Sequence, residues 1–118
     1  MRLRAALAIA QEAPPTIVQG DLLKDVEVVM AQAPAGATLV VFHTAVLAYV
    51  APTARGQFAD VMRRSGAVWI SNEAPGVFPL IAEQAPPPPV RGRFLLAVNG
   101  RPVAWTGPHG QSIDWFGD

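Results

Sequence analysis

Thr38-Leu39-Val40-Val41-Phe42 (TLVVF) is the stretch on which the fold turns. After its threonine the run is continuously apolar and β-branched in its middle, the composition of a strand buried on both faces of a parallel sheet. His43-Thr44 ends it. Upstream, Leu22, Val26, Val29, Met30 and Ala33 fall on one helical face, and Pro34 and Gly36 stop the helix. Downstream, Ala45 to Val50 reads as one or two helical turns before Pro52. A longer helix follows from Thr53, with Phe58, Val61 and Met62 inward and Arg55, Gln57, Asp60, Arg63 and Arg64 toward solvent. Gly66 suits the left-handed position after its last turn. Ala67 to Ser71 (AVWIS) is then a further strand, and a helix between two strands argues for a parallel crossover.

Further out, Thr16-Ile17-Val18-Gln19 reads as a strand ending at Gly20-Asp21. Leu3, Leu7 and Ala10 recur at helical spacing before Pro14 and Pro15, so the N-terminus reads as a proline-stopped amphipathic helix. Its apolar run is too short for a secretory signal. Beyond Ser71, Asn72-Glu73-Ala74-Pro75-Gly76 is a loop, and Pro86 to Pro89 is a polyproline spacer that cannot enter a sheet interior. Asn99-Gly100 lies between the apolar runs Arg93 to Val98 and Pro102 to Thr106, a strong hairpin signal. Gly107-Pro108 and Gly110 make a tight turn, after which Ile113, Trp115 and Phe116 are expected to cover the sheet edge.

A chain of 118 residues, 51% of them apolar, bounds the molecule to one domain spanning 1–118. Nine basic and nine acidic residues leave no net charge, and no basic stripe lies hidden in that balance, so nucleic acid is not an expected partner. The absence of cysteine removes disulfides, thiolate zinc sites and cysteine nucleophiles. Two histidines without cysteine make a poor metal site. No run is long enough to span a bilayer, and the expected compartment is the cytoplasm.

The order strand, helix, strand, helix, strand, terminal hairpin resembles the second half of S-adenosylmethionine-dependent methyltransferases. The runs GDLL (Gly20 to Leu23), LVVFHTAVLAYV (Leu39 to Val50), WISNEAPG (Trp69 to Gly76) and NGRPVAWTGPHGQSIDW (Asn99 to Trp115) are similar to the C-terminal part of an uncharacterised bacterial family, domain of unknown function 2332. The expected fold is therefore a three-layer α/β sandwich, a mainly parallel Rossmann-like sheet with a C-terminal antiparallel hairpin. The resemblance implies S-adenosylmethionine as the cofactor of a full-length relative. This chain has neither the glycine-rich turn that cradles it nor the acidic ribose ligand, and for the chain alone no cofactor is read. What the resemblance carries over is Asp21, placed like the acidic residue that contacts the adenine amino group, and Phe42 to Thr44, placed like the loop beside the methyl-transfer site. The methyltransferase order has two strands between this chain's first and second. Either Thr16 to Gln19 pairs directly with Thr38 to Phe42, or another chain covers an exposed edge, so a homo-oligomer is expected.

Among single residues, His43 and Thr44 end the most buried strand, where open α/β sheets place small-molecule ligands, and Asn72 and Glu73 end the next strand on the same edge. His43 with Glu73 is the minimum for acid and base work; both side chains could equally bond the loops they begin. Asp21 could meet a ligand amine or cap the following helix. His109, Ser112 and Asp114 carry the residue types of a hydrolytic triad, but lie in one short turn without a nucleophile elbow and read as turn formers. Trp69, Trp105 and Trp115 read as packing residues rather than base-stacking ones. Three functions follow: part of a methyltransferase-like protein that is not competent alone, a non-enzymatic module that self-associates or pairs with another subunit, or a small hydrolase using His43 with Glu73.

Overall fold

The computed structural model describes residues 1–118. Helix α1 (Arg2–Glu12) is followed by α2 (Leu22–Met30), strand β1 (Val40–Thr44), a 3-10 turn at Leu47–Tyr49, α3 (Pro52–Ser65) and β2 (Val68–Glu73). A second 3-10 turn (Pro75–Val77), the one-turn helix α4 (Pro79–Ala82) and strands β3 (Phe94–Val98), β4 (Arg101–Thr106) and β5 (Ile113–Trp115) complete the chain. The five strands form one sheet in sequence order. β1 and β2 are parallel, joined by the α3 crossover, with His43 opposite Ser71 and Thr44 opposite Asn72. Every other pairing is antiparallel.

The mainly parallel, three-layer Rossmann-like expectation is thus corrected to a mixed, mostly antiparallel sheet. The reason is local. Strands β3, β4 and β5 are joined through tight turns, and such connections can only produce antiparallel neighbours. At Asn99-Gly100 both residues take positive φ (51° and 78°), the backbone of a two-residue hairpin turn matched to strand twist. The expected strand at Thr16 to Gln19 does not form; residues 13–21 carry no helix or strand. Pro14 and Pro15 lack donors there, and no ladder is offered, so the outer edge of β1 stays unpaired. β1 also begins one residue later than its apolar run, at Val40, and is not buried on both faces: Phe42 is 73% exposed.

The core lies on one side of the sheet. Phe58, Ala59, Val61 and Met62 of α3, Leu47, Val77 and Ile81 close over Trp69, Leu95, Ala97 and Trp105. α3 starts on Pro52 and ends at Gly66 in the left-handed conformation (φ 73°), as the sequence demanded. α2 lays Leu22, Leu23, Val26 and Met30 against the same cluster. By the strand registers the opposite face presents Val40, Phe42 and Thr44, Val68, Ile70 and Asn72, Phe94, Leu96 and Val98, Arg101, Ala104 and Thr106, and Ile113 and Trp115, and no helix packs its apolar stripe on it. No helix is long and apolar enough to cross a membrane.

Candidate functional site

The parallel pairing of β1 with β2 puts His43 and Glu73 on the covered face of the sheet, at its C-terminal edge. Ala45 follows β1 with φ 54° and donates its N–H to Asn72 O at 3.0 Å, which turns the chain sharply over the end of β2. That turn aims two amides inward: Glu73 Oε1 accepts from Val46 N at 3.0 Å and Leu47 N at 3.1 Å. The same oxygen meets His43 Nδ1 at 2.7 Å. Trp69 Nε1, which can only donate, lies 2.9 Å from His43 Nε2. Nε2 therefore accepts, and the ring proton sits on Nδ1, donated to the carboxylate. Both ring nitrogens are engaged, and both side chains are more than nine-tenths buried. Phe58, Trp69 and Phe78 surround the imidazole at centroid distances of 5.3, 6.2 and 6.4 Å.

Glu73 Oε2 has no protein partner and faces a cavity of about 10 Å³ lined by Ser71, Ala74, Pro75, Phe78, Ile81 and Leu95, room for one water. Arg55, read from sequence as solvent-facing, turns back instead. Its Nε donates to Leu47 O at 2.8 Å and Val50 O at 3.1 Å, and its Nη2 to Ala48 O at 3.0 Å. The arginine thus ties down the 3-10 turn whose first amide the glutamate holds.

The other candidates lie elsewhere. Alternation along the strands sends Phe42, Thr44 and Asn72 to the uncovered face, where Asn72 Nδ2 donates to Thr44 Oγ1 at 3.1 Å and Thr106 Oγ1 to Asn72 Oδ1 at 2.7 Å. The expected crevice of His43, Thr44, Asn72 and Glu73 is split by the sheet itself. Asp21 caps α2, accepting from Leu23 N at 2.9 Å and Lys24 N at 3.0 Å. Those two backbone donors, Lys24 first, hold its carboxyl below the usual 3.8. Asp25 reciprocates by accepting from Asp21 N. Asp21, Phe42, Thr44 and Asn72 share no concave site, and the residues present do not fit S-adenosylmethionine. Ser112 and Asp114 engage Arg93, the latter at 3.0 Å, while exposed His109 joins neither. No three of His, Asp and Glu converge as a metal set would.

Trp69 and Trp105 are core residues, the latter donating to Pro86 O at 3.0 Å and so anchoring the proline run, whereas Trp115 is 59% exposed on the bare face. Sequence reasoning missed the pairing of Trp69 with His43. The parallel β1–β2 register carried the signal, since Trp69 stands opposite Val41, two places before the Ser71 that faces His43.

A model of a bacterial protein family, described as an uncharacterised protein conserved in bacteria (DUF2332), matches residues 1–115. No curated protein and no solved structure matches the chain. The matches give no link to methyltransferases, and the strand order is not theirs. With nearly its whole length inside that one match, the chain belongs to the uncharacterised bacterial family DUF2332.

Proposed function

We propose that this chain is a non-enzymatic interaction module, whose work is done by the uncovered face of its sheet packing on another polypeptide. One observation carries the reading: by register that face bears Val40, Phe42, Val68, Ile70, Phe94, Leu96, Val98, Ile113 and Trp115 with a single charged side chain, Arg101 beside Val98 at its rim, and its outer strands leave Val40, Phe42, Ile113 and Trp115 exposed. An exposed apolar patch of this extent marks a contact surface on a soluble chain. Its threonine and asparagine partner each other and Thr106, so docking leaves no polar side chain of this group stranded.

The hydrolytic reading is less well supported. A general base needs a free lone pair within reach of a substrate, and the Nε2 of His43 is spent on Trp69 inside an aromatic cage. The pair is better suited to locking the turn after β1 onto the end of β2.

The test is the double variant Phe42→Glu with Trp115→Glu, compared with the parent for self-association and for binding of an apolar fluorescent dye. Both side chains are exposed, so the variant should fold normally, lose self-association, and, at concentrations low enough to leave the parent's face uncovered, bind less dye than the parent. A variant that associates and binds dye as the parent does would show that this face is not the contact surface.

A further inference from the structure

Two incomplete parts of the molecule match each other. The first is the bare sheet face. The second is α1, none of whose residues is buried and none of which packs on the core. Leu3, Ala6, Leu7 and Ala10 form an apolar stripe along it, and Leu3 is 70% exposed. An isolated helix of eleven residues is marginal in water, since most helical stability comes from packing an apolar face. α1 therefore needs a surface, and the sheet needs a helix.

The size of the mismatch also speaks. A compact chain of this mass exposes about 6200 Å², whereas this one exposes 8398 Å². Its radius of gyration is 15.7 Å, against about 13.5 Å for a compact domain of the same length. An excess of roughly 2200 Å² per chain, buried twice over, falls within the range of obligate homodimers, which are also depleted in interface charge.

We infer that two copies exchange arms: α1 of each lies, apolar stripe inward, across the bare sheet face of the other. This rests on the reading of that face as an interaction surface and names its occupant. The tether fits. Residues 13–21, without helix or strand, reach up to about 30 Å when extended, more than the roughly 20 Å across a five-stranded sheet. α2 packs on the covered side, so the arm leaves the body there and is free to cross to a partner. The one charged side chain that the register puts on the face, Arg101 at its rim, is paired with Asp118 at 3.4 Å, and reciprocal exchange closes the assembly at two chains.

Sedimentation equilibrium of the full chain tests this with Leu7→Asp, Phe42→Glu and their mixture. The parent should be a dimer of twice 12.5 kDa. Each single variant should weaken it at least about 100-fold, since each loses both arm-to-face contacts. The mixture should regain dimer, because the intact arm of the Phe42→Glu chain can occupy the intact face of the Leu7→Asp chain. Near-UV circular dichroism from Trp69 and Trp105, both buried, verifies folding of each variant. A monomeric parent, a Leu7→Asp chain that dimerises like the parent, or a mixture that stays monomeric would each overturn the exchange. A monomeric parent that still binds apolar dye through Phe42 and Trp115 would overturn the exchange alone and leave the interaction surface standing.

Discussion

Glu73 ties the end of β2 to β1 and the turn that follows it, because one carboxylate oxygen serves three donors, His43 and the amides of Val46 and Leu47. Truncation to alanine leaves the amides of Val46 and Leu47 and the His43 Nδ1–H without an acceptor. Glu73→Ala is expected to cost about 3–5 kcal/mol of unfolding free energy in urea titration. Glu73→Gln, which keeps an acceptor in the same place, should cost about 1–2 kcal/mol. Equal losses for the two variants would refute the three-donor account. The identities of His43 and Glu73 were legible as a pair in the sequence, since both end strands at one sheet edge. Their confinement to the face opposite Thr44 and Asn72 follows from strand alternation and register. Sequence shows the alternation; the register comes from long-range pairing.

At the scale of elements, α2 is decided by its first residue. Asp21 accepts from the amides of Lys24 and Leu23, and its carboxyl titrates below the usual 3.8. A depressed folded value means that the stabilisation is complete above the unfolded value and is lost as pH falls through the folded one. The melting temperature of the parent should exceed that of Asp21→Ala by a few degrees near neutral pH, and the gap should close mostly below about pH 4. A gap that stays constant down to about pH 2 would mean that the ionised cap is not what matters. The elements themselves were unequally readable. Asn99-Gly100 and Gly66 declare their turns through backbone freedom, and Pro52 and the apolar stripe of α3 declare their helix. Thr16 to Gln19 had strand composition but met no partner ladder, and composition alone cannot supply one. The parallel sheet was over-read because a continuous apolar run such as Leu39 to Phe42 implies that both faces will be buried. It does not say by what, and in this chain one of those faces remains bare.

For the molecule as a whole, the arm of residues 1–21, exposed throughout, and the uncovered sheet face both add to the excess surface. Length and composition bounded the chain to a small α/β body, and the sequence made α1 amphipathic. That α1 and the sheet face are both left without partners emerges only when the elements are assembled. The most direct test is hydroxyl-radical footprinting of the parent across a range of concentrations. Tyr49, almost fully exposed in the 3-10 turn outside the sheet, serves as the reactive reference, and buried Trp69 as the protected one. The account predicts that Phe42 and Trp115 pass from Tyr49-like reactivity toward Trp69-like protection as concentration rises. Reactivity equal to that of Tyr49 at every concentration would contradict it.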